Sequence, residues 1–199
     1  MSLKIVTGKF KGSTLLSTDK VRELRPTQAL VREAMINIIR TPFHDRDFEE
    51  LRGLDLFAGI GTLGFELLSN DFKEVVFVEE NIFCLNLIKK NLAKLELSDK
   101  SKVVKAKLPQ GLKDVKNICG RVGFDLIFID PPYKFSADDF INTISKILEN
   151  DILNSAALLV LENNQKSLGN AVLERFSEHL VLLKEKRYGD TYVFFFEKN

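Results

Sequence analysis

The sequence predicts an α/β fold, a mostly parallel sheet covered on both faces by helices and closed by an antiparallel hairpin. Three observations predict it. From Gly53 onward, near-continuous apolar segments alternate with amphipathic ones. The first apolar segment runs into a glycine-rich turn, LDLFAGIGTLG at 54–64. The C-terminal stretches His179–Lys186 and Thr191–Glu197 are β-rich and joined by the turn Tyr188-Gly189-Asp190.

Residues 1–25 are short apolar pieces, Lys4-Ile5-Val6-Thr7 and Ser13-Thr14-Leu15-Leu16, separated by Gly8-Lys9-Phe10-Lys11-Gly12. They read as a small hairpin or an extended arm. Thr27, after Pro26, is a good N-cap for a helix running to about Arg40, because Leu30, Val31, Ala34, Met35, Ile38 and Ile39 recur at helical spacing; Thr41-Pro42 stops it. The expected strands are Leu54–Phe57, Val75–Val78, Val103–Val104, Phe124–Ile129 and Ala156–Leu161, followed by the two C-terminal ones, seven in all. Helices are expected at Thr62–Ser69, Asn81–Leu95, weakly near Leu108–Ile118, and at Ser136–Leu148, where Ser136 with Asp139 resembles a capping box.

At 199 residues, 45% of them apolar, the chain can bury one ordinary core. It has no run near the roughly 18 apolar residues of a membrane span. The start, MSLKIVTGKF, lacks the apolar region of a signal peptide, so a cytoplasmic location is expected. Cys84, Cys119, His44 and His179 are each isolated in sequence, which argues against a disulfide framework and against a zinc site. The net charge of +1 is uninformative, but residues 1–40 hold eight Lys or Arg against three acids, while the remainder is slightly acidic. A basic N-terminal patch could engage phosphates, although a solvated basic surface fits the same count. The expected division is therefore an N-terminal arm and helix at 1–40 and a main domain at 41–199.

The segment after the first strand satisfies G-x-G-x-x-G through Gly59, Gly61 and Gly64, with a helix starting near Thr62 and Glu79 placed 20 residues on, at the end of the next strand. Glycines let the backbone approach a ligand, the helix N-terminus adds favourable dipoles, and an acid at that distance can bind ribose hydroxyls. A ligand-free strand–helix turn is the alternative; the coincidence of glycines, context and distal acid favours a ligand. The pattern alone fits a nicotinamide dinucleotide or S-adenosylmethionine. Asp55, inside the strand, would repel a pyrophosphate and favours the second.

Phe124–Ile129 delivers Asp130-Pro131-Pro132-Tyr133 to the carboxyl edge of the sheet, where ligands of open α/β folds bind. The prolines fix φ and remove backbone donors. Such a loop suits an exocyclic base amine, a poor nucleophile whose lone pair is delocalised. Its two N–H groups could donate to the Asp130 carboxylate and the Pro131 carbonyl, which would position the nitrogen and favour its pyramidal form. Tyr133 offers a flat face for an unstacked base. A plain rigid turn ending a buried strand is the alternative, and the glycine loop upstream weighs against it.

With these motifs placed, the sequence resembles the RsmD-like family of ribosomal RNA methyltransferases over nearly its full length. The resemblance rests on Ile5–Gly12, on Leu24-Arg25-Pro26-Thr27 with Val31-Arg32-Glu33, on Asp55–Glu66, on Val78-Glu79, on the Asp130 loop and on Tyr188–Thr191. It implies a class I, Rossmann-like, S-adenosylmethionine-dependent methyltransferase fold, with a seven-stranded sheet and a small N-terminal extension. It implies transfer to the N2 amine of a guanine in 16S rRNA, with the small ribosomal subunit as partner. Cofactor contacts would come from Thr27, Asp55, Phe57, Ala58, Gly59, Gly61, Thr62, Glu79 and Asn81, with Asp55 near the methionine ammonium. Lys9, Lys11, Arg25 and Arg32 would contact RNA. The chain departs from the family at Lys107, where an acid is usual, and at Asn81, where Asp is common. An N6-adenine methyltransferase of DNA or RNA shares the Pro-Pro-aromatic chemistry, a non-catalytic RNA-binding module is a rival from another class, and a nicotinamide oxidoreductase stands third.

Overall fold

The computed structural model describes residues 3–17, 28–120, 123–132 and 134–199. Arg25, Thr27 and Tyr133 lie outside the described residues, and so does the expected cap at Thr27. Seven strands form one sheet: β1 Arg52–Leu56, β2 Glu74–Glu79, β3 Ser101–Lys105, β4 Phe124–Ile129, β5 Leu153–Asn163, β6 Leu180–Tyr188 and β7 Thr191–Lys198, in the order β3-β2-β1-β4-β5-β7-β6. The described helices are α1 Ala29–Ile39, α2 Thr62–Ser69, α3 Ile82–Lys94, α4 Leu112–Cys119, α5 Ala137–Glu149 and α6 Lys166–Phe176. This is the expected α/β fold, mostly parallel and ending in an antiparallel hairpin. No described helix is long and apolar enough to cross a membrane.

The contacts divide the chain into two units, Met1–Lys105 and Ala106–Asn199. In the first, β1, β2 and β3 pair in parallel. All five residues of β1 are buried, as a strand inside a parallel sheet requires. Arg52 on β1 and Lys102 on β3 both reach Glu74 on β2, at 2.7 and 2.9 Å. Burial alone raises the Glu74 carboxyl; the hydrogen bonds from Lys102 and Arg52 outweigh it and hold the group below the usual carboxylate range.

The helix α2 packs on β1 and β2 and is buried along its whole length. Close approach depends on Gly64, where a Cβ would lie 2.2 Å from the Phe77 ring on β2. A Gly64→Ala variant is expected to lose about 1–2 kcal/mol, because an overpacking cost of roughly 1–3 kcal/mol exceeds the helix-propensity gain of under about 1 kcal/mol. A urea unfolding midpoint equal to or above that of the parent protein would contradict this.

The N-terminal arm is a turned loop. Lys4 and Thr14 form an isolated antiparallel bridge, and Ile5 N–H donates to the Ser13 carbonyl at 3.0 Å. The arm is fastened to α2 and to α3. Lys9 N–H donates to the Ser69 carbonyl at 2.8 Å, Leu16 N–H to Asn91 Oδ1 at 2.7 Å, and Lys94 Nζ to the Thr14 carbonyl at 2.7 Å.

In the second unit β4 and β5 pair in parallel, and β7 lies antiparallel between β5 and β6. Its buried residues cover both faces of the sheet, Phe195 in register with Val160 and Phe128 on one, and Phe194 and Phe196 with Leu159 and Ile127 on the other. Tyr188 pairs with Thr191, so the hairpin turns on Gly189-Asp190, with Gly189 at φ 61°. Strand β5 begins three residues earlier than expected. Ala156 at φ 52° and a register shift against β4 between Phe124 and Leu126 form an irregularity that carries Asn154 and Ser155 within the strand. The helix α6 had no counterpart among the expected elements.

Candidate active site

Strand β1 ends at Leu56, one residue before its expected end, because Phe57 turns into the left-handed region at φ 61°. Gly59 and Gly61 follow at φ 54° and 83°. A phenylalanine there stores roughly 1 kcal/mol or more of strain, a cost met mainly at functional sites. The turn is held from both sides. Ala58 N–H donates to the Val78 carbonyl at 3.0 Å, and Gly59 N–H donates to Glu79 Oε2 at 2.8 Å. The other carboxylate oxygen, Oε1, accepts from Asn81 N–H at 2.8 Å, and Asn81 Oδ1 caps α3 by accepting from Phe83 N–H at 2.9 Å. One acid therefore joins the glycine loop to the start of the next helix, while a Cβ on Gly59 would meet nothing within 4 Å. That side of the loop is open.

Asp55 is 2% exposed, and its Oδ2 accepts from Gly64 N–H at 2.9 Å. The carboxylate thus sits below the loop and ties β1 to the first turn of α2, where Thr62 is also buried. Cys84 is buried on α3, and burial first, then the Glu79 charge, push its thiol up to about 11. At neutral pH it is protonated and no nucleophile. The fold thus gathers Asp55, Phe57, Ala58, Gly59, Gly61, Thr62, Glu79 and Asn81 at the carboxyl ends of β1 and β2.

The second unit carries the Asp130 loop. All six residues of β4 are buried; Asp130 at its carboxyl end is half-buried, Pro131 is buried and Pro132 exposed. The Pro132 carbonyl accepts from Phe135 N–H at 2.8 Å, which closes a tight turn. Ser136 then caps α5: its Oγ accepts from Asp139 N–H at 3.1 Å and donates to Asp139 Oδ2 at 2.8 Å, so the expected box forms its N-cap half, while the shorter Asp carboxylate turns to the serine hydroxyl. Asp130 thus follows directly on a buried strand, and α5 opens on a capping serine.

The four basic residues expected to meet RNA divide. Lys9 and Lys11 lie on the arm surface, where Lys9 pairs with Asp71 and Lys11 lies 4.0 Å from Glu33. Arg25 lies outside the described residues. Arg32 has to be reassigned. It is 2% exposed; its Nε meets Glu66 Oε1 at 3.2 Å and an Nη meets the Lys4 carbonyl at 2.6 Å. A buried guanidinium held by its own protein is a structural cation rather than a phosphate contact. Glu66, given no role from sequence, is its partner. The signal was present: one acid inside the otherwise apolar run Leu63–Leu68, and one arginine on the stripe of Val31, Met35, Ile36 and Ile39. Lys107 is exposed.

The model of the family described as conserved hypothetical protein 95 matches residues 3–197. The chain belongs to this family. It is the RsmD-like family of methyltransferases, as the sequence motifs led one to expect. Among its curated members, the ribosomal RNA small subunit methyltransferase D of Haemophilus influenzae is 33% identical over 189 residues, which covers 94% of this chain and 89% of that protein. The protein of the same name from Escherichia coli K12 is 28% identical over 163 residues, covering 81% of this chain and 74% of the relative. A solved Haemophilus influenzae structure, titled as a candidate methylase, superposes with a TM-score of 0.75 at 28% identity, covering 100% of this chain and 99% of that one. A Thermus thermophilus structure gives 0.74 at 25% identity, covering 97% and 98%.

Proposed function

We propose that this chain transfers a methyl group from S-adenosylmethionine to the N2 amine of a guanine in 16S rRNA, within the small ribosomal subunit. The observation that carries the substrate reading is the family membership, with relatives over most of the chain named for small-subunit ribosomal RNA. The Asp-Pro-Pro-Tyr run at the end of β4 supports the amine as target.

The glycine loop suits the cofactor. An open face at Gly59, a distal acid that already braces the loop, and a buried carboxylate at Asp55 favour a ligand with ribose hydroxyls and a positive charge over a pyrophosphate. Glu79 would accept from the ribose hydroxyls, Asp55 would face the ammonium end, and Phe57–Gly61 with Thr62 would line the chain between. Asn81 sets the entry of α3 beside the ribose; Thr27 would close the mouth. Bound there, S-adenosylmethionine supplies an electrophilic methyl on its sulfonium.

The remaining chemistry falls to the Asp130 loop. The Asp130 carboxylate and the Pro131 carbonyl would accept the two amine N–H bonds, hold the nitrogen in place and favour its pyramidal form. The Asp130 carboxylate would stabilise the positive charge that the nitrogen gains on taking the methyl group from the sulfonium, whose sulfur would leave as a neutral thioether. The departing proton passes to that carboxylate or to solvent. Tyr133 supports the base by stacking, and Pro132 fixes the turn. Residues 1–40 serve as the RNA-contacting extension of a catalytic domain at 41–199, with Lys9, Lys11 and Arg25 toward the backbone. Exposed ion pairs such as Lys9–Asp71 are worth little and exchange readily for phosphate.

The test is transfer of labelled methyl from the cofactor to small ribosomal subunits taken from a strain lacking this protein, followed by nucleoside separation. N2-methylguanosine is the expected product. N6-methyladenosine, or label in no nucleoside, would overturn the assignment.

A further inference from the structure

Buried charges are costly unless fully hydrogen-bonded, and Glu66 on α2 is 0% exposed. Its two oxygens accept from Val6 N–H at 3.0 Å, Thr7 N–H at 3.0 Å, the Thr7 hydroxyl at 2.7 Å and Arg32 Nε at 3.2 Å. Arg32, on α1, reaches back to the Lys4 carbonyl. One carboxylate therefore takes donors from the arm and from α1 while standing on α2, one helical turn beyond Thr62 and the glycine loop. Neighbouring bonds extend the seam. Asn70 Nδ2 donates to the Thr7 hydroxyl at 2.7 Å, Ser69 Oγ to the Thr7 carbonyl at 2.6 Å, and Phe10 N–H to Ser69 Oγ at 3.0 Å. Gly8 passes so close that a Cβ there would lie 1.9 Å from the Ser69 carbonyl oxygen.

An apolar pair of similar volume would pack this spot as well as an ion pair does, often with no loss of stability. What an apolar pair could not do is bind the Val6 and Thr7 amides. We propose that Glu66 is a positioning residue for RNA binding. Paired with Arg32, it fixes the path of residues 4–7, and thereby the place at which Lys9 and Lys11 meet the RNA backbone. This rests on the reading of the arm as the RNA-contacting element.

The test replaces both partners at once, Glu66→Met with Arg32→Met, which leaves the net charge, and so the general attraction for RNA, unchanged. The probe is an unmodified transcript of small-subunit ribosomal RNA, bound at fixed salt without turnover. The double variant is expected to stay folded, with a melting temperature lowered because the Val6 and Thr7 amides and the Lys4 carbonyl lose their partners, and to keep its affinity for S-adenosylhomocysteine within about twofold. It should bind the transcript about tenfold more weakly, while the amides of Val6 and Thr7 exchange with solvent about tenfold faster or more. Native RNA affinity with fast-exchanging arm amides would overturn the proposal, as would unchanged exchange. A parallel loss of cofactor-product affinity would locate the effect in the glycine loop and overturn it equally. Thr7→Val removes the hydroxyl that donates to Glu66 and accepts from Asn70 and is expected to weaken the transcript about threefold, so the question survives a double variant that fails to fold; native affinity in it would overturn the proposal. A parent protein that binds the transcript but transfers no methyl group would refute the proposed reaction and leave the role of Glu66 standing.

Discussion

Methyl transfer by an Asp130→Ala variant is expected to fall by about a thousandfold or more, with the affinity for S-adenosylhomocysteine within about twofold of the parent. The magnitude follows from removing a preorganised partner for charge that develops in the transition state. The asymmetry follows from the fold: the residues assigned to the cofactor, Asp55 through Asn81, belong to the first unit and Asp130 to the second. Asp130 is half-buried at a strand end, so its truncation leaves the buried β4 intact. Single-turnover rates with saturating cofactor and subunits, alongside calorimetric titration of the product, measure both quantities. An Asp130→Asn variant keeps the shape and loses the charge, and should lie close to alanine if charge stabilisation dominates. More than about a tenth of parent activity in the alanine variant would remove Asp130 from the reaction.

Glu79→Ala should weaken S-adenosylhomocysteine by about a hundredfold, or roughly 2.7 kcal/mol. Two losses combine. The ribose hydroxyls lose a charged acceptor, an interaction worth roughly 1.5–3 kcal/mol. The loop also loses its brace, because Gly59 N–H and Asn81 N–H both end on that carboxylate. A Glu79→Gln variant keeps one acceptor for Gly59 or for Asn81 and should fall between, near tenfold. Titration of the product, with NAD as a negative control, decides; an alanine variant within threefold of the parent would exclude Glu79 from the cofactor site.

The parts legible in the sequence are those governed by local chemistry. Strand β4 and helix α2 fall on the expected residues, since an apolar run interrupted by Asp125 alone and bounded by Gly123 and Asp130, and a helix opening straight after Gly61, leave little choice of boundary. The N-cap at Ser136 was legible for the same reason. What was not legible depends on partners far along the chain. Helix α6 shows only Leu168, Val172 and Phe176 as a narrow stripe and carries Gly169 in mid-helix. That glycine weakens the helix signal, yet a Cβ there would lie 2.2 Å from the Phe194 ring on β7, so the packing requires it. Arg32 reads locally as a basic residue in a basic segment; only Glu66, 34 positions on, makes it a buried one. The sequence likewise marks Glu79 as a ribose ligand but gives no hint that its two oxygens already hold backbone amides.

The turn after β4 bears on how a base entering by its amine can be told from one entering by a carbonyl. Neither Pro131 nor Pro132 has an N–H, and the Pro132 carbonyl already serves Phe135. In the proposed site, the polar groups that the Asp-Pro-Pro run would offer a substrate are lone pairs, on the Asp130 carboxylate and on the Pro131 carbonyl. A guanine entering amine-first would satisfy them. One entering by its keto edge, or a uracil presenting a carbonyl, brings lone pairs against lone pairs and must shed its water with nothing in return, a penalty of roughly 1–3 kcal/mol per unpaired group. In the proposed site, discrimination then comes less from recognising the right base than from a surface that refuses every acceptor offered to it.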